Sequence, residues 1–159
     1  MPEGPEVKRV GEGLARKASG KTITEINIIS GRYTKKLPTG YEAIKSSLPI
    51  KVVGCGVHGK FIYWICENAN FIWSTLGMTG SWGNTKKKHA RLEVKFSDGT
   101  SVFYNDPRNF GTIKFVQGKH AMLEKLKSFG PDMLAEDVSD EKFIEAIRKK
   151  SKWEITKAL

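Results

Sequence analysis

The stretch ARLEVKFSDGTSVFYND, residues 90–106, constrains the fold more than any other part of the chain. Apolar and polar residues alternate on both sides of Ser97-Asp98-Gly99-Thr100, and a period of two marks strands with one buried face. Asp-Gly supplies the positive φ of a tight turn, so the two arms pair as an antiparallel hairpin. Segments of the same kind recur as KTITEINIIS, IKVVGCGVHG, KFIYWICE, FIWSTLG and GTIKFVQ, rich in β-branched and aromatic residues. Six to eight short strands with no long helix between them predict an antiparallel sandwich or barrel.

Helical periods flank this core. Val7, Val10, Leu14 and Ala18 recur at helical spacing, and Pro5 suits a first turn, which predicts a helix over 5–18. Gly11 and Gly13 each weaken that helix by about 1 kcal/mol relative to Ala. Close packing against a flat surface would offset that cost. After Gly118, HAMLEKLKSFG predicts a short helix with Met122, Leu123 and Leu126 on one side and Gly130 as its stop. Ser139 then caps DEKFIEAIRKK, with acids in its first turn and bases in its last. SKWEITKAL reads as the start of a further helix, so a second, helical domain is expected to continue from it. Residues 1–134 form the expected β domain, and 135–159 a linker with the beginning of the next.

Charge narrows the partner. Twenty-seven Lys and Arg against 17 Asp and Glu give a net charge of +10, an excess that draws a polyanion through counterion release. No apolar run approaches a membrane span and no signal-peptide core is present, so an intracellular protein with no membrane partner, and nucleic acid as the favoured polyanion, is expected. Cys55 and Cys66 lack metal-ligand spacing and the three histidines are scattered, so both are expected as reduced thiols with no metal bound.

Several residues have the chemistry of a reaction site. Removal of Met1 would leave Pro2 as a secondary amine, a nucleophile able to form an imine with a carbonyl-like carbon. Glu3 and Glu6 could divide proton donation and acceptance beside it, although acids at a helix start equally complement its dipole. Lys60, in HGKF at 58–61, sits at a turn where a lysine is either solvated or reaches a phosphate. LGMTG at 76–80 and NDPRNFG at 105–111 place Met78, Arg108 and Phe110 on Gly- or Pro-shaped turns. Burial in the core is the plain alternative for Met78 and Phe110. Exposure there would suit the apolar wedges and Arg with which proteins fill the gap left by an extruded base. KKKHAR at 86–91 is either a solvated run or a phosphate track.

Taken together, MPEGPEV, HGK, LGMTG, KHARLEV, DPRNFG and FGPDML, in that order, resemble the formamidopyrimidine-DNA glycosylase and endonuclease VIII family of base-excision repair enzymes. The resemblance implies an N-terminal helix on an antiparallel β-sandwich of about eight strands, followed by the start of a helix-two-turn-helix domain. It implies a bifunctional glycosylase and AP lyase that acts as a monomer on damaged double-stranded DNA, with nicking by β- and δ-elimination. Pro2 then matches the imine-forming nucleophile, Glu3 the acid/base, Glu6 a supporting acid and Lys60 a phosphate-binding lysine. Met78, Arg108 and Phe110 match the void-filling residues, with Arg108 facing the orphaned base, and His89 matches a phosphate-contacting histidine. No cofactor is implied within these 159 residues, since any zinc would sit in a finger of the family's C-terminal half. MPEGPE, with Gly4, resembles the endonuclease VIII side, whose substrates are oxidised pyrimidines and hydantoins. LGMTG and DPRNFG resemble the side that removes oxidised guanine, although some endonuclease VIII-like members share them; oxidised pyrimidines are the favoured reading. Two other readings fit the bare residues. One is a non-enzymatic basic domain that binds nucleic acid; the other, weaker, is an N-terminal-proline tautomerase.

Overall fold

The computed structural model describes residues 4–128. Helix α1 (Gly4–Ala18) is followed by β1 (Thr22–Ile28), a 3-10 turn at Arg32–Thr34 and the short helix α2 (Tyr41–Ser47). Strands β2 (Ile50–His58), β3 (Phe61–Cys66), β4 (Asn70–Thr75) and β5 (Ser81–Gly83) come next. Then follow β6 (Ala90–Phe96), β7 (Ser101–Asn105), β8 (Thr112–Gln117) and helix α3 (Lys119–Lys127). The helix expected after Ser139, the one expected in SKWEITKAL, the FGPDML motif and the 134/135 boundary lie outside the described residues, as do Pro2 and Glu3.

All strand pairs are antiparallel, in the order β5-β7-β6-β1-β2-β3-β4-β8. Laid flat, β5 and β3 would be five strand spacings apart, about 24 Å. Yet the rings of Trp64 on β3 and Trp82 on β5 have centroids 5.3 Å apart. The ladder therefore folds over on itself at the β1–β2 junction, where only Thr22↔Lys51 and Ile23↔Ile50 pair. The outcome is the expected eight-stranded sandwich, with β5, β7, β6 and β1 facing β2, β3, β4 and β8.

Its core comes from the inward residues of both halves. Strand β6 alternates strictly, with Ala90, Leu92, Val94 and Phe96 buried. Trp64 stacks near Phe96, Trp82 tilts against Tyr104, and the Trp82 indole N–H donates to Ser74 Oγ at 3.0 Å across the halves. The outer face of the β2–β8 half carries Phe61, Tyr63, Ile65 and Phe71, which α3 covers with Met122 and Leu126. Leu123 is half-buried on the same cluster, so all three apolar positions expected of this helix contribute.

The helices α1 and α2 close the sandwich on opposite sides. Helix α1 buries Val7, Gly11, Leu14 and Ala18 and packs beside β2 and β5. A Cβ on Gly11 would lie 2.0 Å from Val57 Cγ2, which shows the close approach that requires glycine there. At Gly13 the nearest atom is an Arg16 side-chain nitrogen at 3.7 Å, so packing does not explain that glycine. On the other side, Tyr41 of α2 donates to Ile26 O on β1 at 2.7 Å, and its ring lies 6.0 Å from that of Phe115 on β8.

The Asp-Gly hairpin forms as expected. Gly99 takes φ +87°, while Asp98 accepts from the Thr100 hydroxyl and N–H and pairs with Lys21 at 3.2 Å. Those contacts, the Thr100 hydroxyl first, hold the Asp98 carboxyl down at about 2.

Candidate nucleic-acid interface

Strand register brings the scattered motifs to one end of the sandwich. His58 pairs with Phe61, so Gly59 and Lys60 form a two-residue turn, with Gly59 at φ +58° and Lys60 exposed. Phe61 pairs with Thr75 and Thr75 with Thr112, so that turn, the 76–80 loop and the 106–111 loop emerge side by side. In the facing half, Asn105 pairs with both Ser81 and Ala90, and Ile28 pairs with Leu92. The 84–89 loop and the segment after β1 therefore leave at the same end.

Helix α1 starts there too. Its C-terminal side is tied to the start of β2 by Gly20 N–H donating to Val52 O, and Gly11 lies on Val57. Helix and strand thus run alongside, and seven residues of helix carry the chain about 10 Å from Gly11 back to Gly4. That places Gly4 toward the Gly59-Lys60 turn. Glu6 lies exposed in the first helical turn.

A buried carboxylate joins the two loops. Asp106 is 1% exposed, and its Oδ2 accepts from Gly111 N–H at 2.9 Å while Oδ1 accepts from the Thr79 hydroxyl at 3.3 Å. Thr79 Oγ1 in turn accepts from Arg108 N–H at 3.4 Å. Tyr104 donates to Thr75 O at 2.7 Å beside the same carboxylate. Burial first, then the Asp106 charge, pushes the Tyr104 phenol well above its usual range, so it stays protonated as a donor. The loops also touch directly: a Cβ on Gly77, at φ +59°, would lie 2.5 Å from Gly111 N.

Two arginines brace this unit from outside. Arg91 donates to Asp106 O at 3.0 Å, to Pro107 O at 3.2 Å and to Ser30 Oγ at 3.1 Å. Arg32 donates to Gly111 O and lies 5.0 Å from the centre of the Tyr33 ring. Asp106 N–H donates to His89 O at 3.0 Å, which fastens half-buried His89 to the same hub.

So braced, the loops hold their tips in solvent. Phe110 is 60% exposed and Met78 40%, while Arg108 is exposed between them. The core alternative for Met78 and Phe110 is thereby excluded. Lys86, Lys87 and Lys88 are exposed on the neighbouring 84–89 loop. Among the described residues, no group of three or more His, Cys, Asp or Glu could hold a metal, and no helix is long and apolar enough to cross a membrane. Cys55 and Cys66 are buried inside the sandwich without a disulfide, and burial pushes the Cys55 thiol up.

Sequence reasoning found the tips but missed their supports. Asp106, Thr79, Arg91, Arg32 and Tyr104, of which only Asp106 and Tyr104 are buried, set where the tips stand. A faint signal existed: an Asp directly before Pro107, and an Arg set within the alternating β6.

Comparison with known proteins agrees with this geometry. The family model for the formamidopyrimidine-DNA glycosylase N-terminal domain matches residues 1–113. A formamidopyrimidine-DNA glycosylase of Geobacter metallireducens is 32% identical over 140 residues, covering 84% of this chain and 51% of that protein. One from Streptococcus pneumoniae is 31% identical over 159 residues, covering 96% and 57%. The chain thus spans about half the length of the curated relatives it matches. Among solved structures, Lactococcus lactis Fpg non-covalently bound to DNA with an AP site superposes with a TM-score of 0.66 at 27% identity, covering 79% of this chain and 49% of that one. MutM in complex with DNA containing carbocyclic 8-oxo-G gives 0.67 at 27% identity, with coverage of 79% and 49%. By domain, motif order and fold, this chain belongs to the formamidopyrimidine-DNA glycosylase family.

Proposed function

We propose that this chain is the N-terminal catalytic part of a bifunctional DNA glycosylase and AP lyase that removes oxidised bases, pyrimidines and hydantoins foremost. The observation that carries this reading is the braced pair of loops. A Phe, a Met and an Arg stand in solvent on a rigid mount, at the same end as Lys60 and the start of α1. Exposed apolar side chains held together on a braced mount, beside an Arg, suit insertion into a base stack.

Phe110 and Met78 enter the duplex and fill the space left by the extruded nucleotide, while Arg108 meets the orphaned base. Lys60 and His89 hold backbone phosphates beside the lesion. Pro2 and Glu3 immediately precede Gly4 in the chain. With Met1 removed, the Pro2 nitrogen lone pair attacks C1′ of the sugar, and the glycosidic bond breaks with its electrons leaving on the base. Glu3 supplies a proton to the ring oxygen as the sugar opens, and the Pro2 nitrogen loses its own proton, which leaves an iminium at C1′. That cation acidifies the C2′ hydrogen, so the 3′-phosphate leaves by β-elimination and the 5′-phosphate follows by δ-elimination. Glu6 supports the amine electrostatically. The preference for oxidised pyrimidines and hydantoins rests on the resemblance of MPEGPE, with Gly4, to the endonuclease VIII side of the family.

The test is borohydride trapping of the full chain, with loss of Met1 verified by mass spectrometry. Duplexes carrying an abasic site, an oxidised pyrimidine or 8-oxoguanine are compared. A covalent protein–DNA adduct on the first two is expected, abolished when the Pro2 amine is blocked. Absence of adduct on every duplex refutes the enzyme, and retained binding would then leave a non-catalytic DNA-binding domain. Stronger trapping on 8-oxoguanine refutes the pyrimidine assignment alone.

A further inference from the structure

Beyond the wedge loops, on the side away from α1, lies a second feature. A cleft of about 370 Å³ runs between the 32–39 segment and the start of β8, lined by Arg32, Tyr33, Lys36, Leu37, Thr112 and Lys114 among others. It is built rather than incidental. Thr39 O accepts from Phe115 N–H at 2.8 Å, which lays the segment along the β8 edge, and Tyr33 Oη accepts from Ile113 N–H at 2.9 Å. Arg32 spans the cleft wall to Gly111 O, the residue after Phe110. Lys36 and Lys114 are exposed, and among the described residues neither ammonium takes part in an ion pair or side-chain hydrogen bond. Leu37, 43% exposed, adds an apolar floor.

Position decides what such a cleft would hold. In the β2-β3-β4-β8 half, α1 and the Lys60 turn lie at the β2 side and the cleft lies past β8, with the wedge loops between them. We propose that this cleft is a phosphate-binding track for the undamaged DNA strand, in which Lys36 and Lys114 hold backbone phosphates next to the orphaned base. This rests on the glycosylase reading above: if the extruded nucleotide goes toward α1, then the intact strand must pass on the other side of the wedge. Two unpaired cations beside an apolar floor match a sugar–phosphate backbone, whose charge is regularly spaced and whose sugars are apolar on one face. Arg32, oriented by Gly111 O and the Tyr33 ring, contributes field to the track without leaving the wedge.

The test measures binding of the full chain, wild type and Lys36→Ala/Lys114→Ala, to a duplex with a stable abasic-site analogue over a salt series. Each phosphate contact contributes about 0.9 to the slope of log K against log salt. The double variant is expected to lose about 1.8 from that slope, with unchanged thermal stability and undiminished borohydride trapping at saturating protein. Replacing phosphates beside the orphaned base with neutral methylphosphonates should weaken wild type and leave the variant no weaker than before. An unchanged slope, or a loss seen only when the damaged strand is neutralised, overturns the track. Failure of wild-type trapping instead removes the glycosylase reading, so the two failures are distinct.

Discussion

Replacing Phe110 with Ala separates a wedge from a core residue, because the two roles predict opposite outcomes in two measurements. A Phe side chain offers roughly 200 Å² of surface, and here 60% of the residue is exposed in the free protein. About 120 Å² is therefore still available to be buried on insertion between bases. At about 25 cal/mol per Å² that is worth about 3 kcal/mol, or roughly a hundredfold in affinity. The fold has little to lose: the ring covers no core cluster, and an exposed position costs about 0.5 kcal/mol or less on truncation. Fluorescence anisotropy with an abasic-analogue duplex should show the hundredfold loss, and undamaged duplex, into which nothing is extruded, a much smaller one. Urea unfolding should give an unchanged midpoint. A midpoint shift worth about 3–5 kcal/mol, the cost of truncating a core Phe, with lesion affinity intact would refute the wedge. Equal losses on lesion and undamaged duplex would refute insertion at the damaged site.

Two further expectations concern the fold that carries the wedge. Gly11→Ala should destabilise by about 1–3 kcal/mol despite Ala's better helix propensity, because its Cβ meets the β-branched Val57 at 2.0 Å. Gly13→Ala, with only a flexible Arg16 end nearby, should stabilise by up to about 1 kcal/mol; urea midpoints of the two variants must move in opposite directions. The raised Tyr104 phenol makes stability pH-dependent in the alkaline range. A folded-state pKa above the unfolded 10.0 means the contribution is complete below pH 10 and falls as pH rises past it, by at most about 1.4 kcal/mol per pH unit. Tyr104→Phe should flatten that alkaline decline in urea unfolding between pH 9 and 11.5, and an unaltered slope would mean another group titrates.

Local pattern carried the strands well. The strict alternation of β6 and the Asp-Gly turn after it are short-range signals, and the structure follows both. Helix α2 escaped because seven residues with only Tyr41 and Ile44 buried show barely two points of a helical period. Strand β5 escaped because Ser81–Gly83 is too short to display alternation at all. At the site, the exposed tips were legible because Phe and Met on a Gly-flanked turn conflict with burial. Their supports were not, since Thr79 and Asp106 meet across 27 residues of sequence and periodicity holds no information about such a bond. The order of six motifs supplied what periodicity lacked, and the family match later agreed with it.

The wedge loop between β7 and β8 is also one of the three connections, with β1 to β2 and β4 to β5, that cross from one half of the sandwich to the other. Its geometry therefore depends on when the halves meet during folding. Strand β8 closes the second half by pairing with β4, from Asn70↔Gln117, 47 positions apart, to Thr75↔Thr112, and β1 waits for β6 across still longer separations, from Ile23↔Phe96 to Ile28↔Leu92. Such non-local pairings are slow to form. A nascent chain thus completes the 106–111 loop and its braces only after both layers have assembled. Conversely, transient release of β8 would unfasten Gly111 from Asp106 without unfolding β6 or β7. Amide exchange at Gly111 should report that opening directly, so the loop proposed to enter the duplex would also report on the integrity of its own fold.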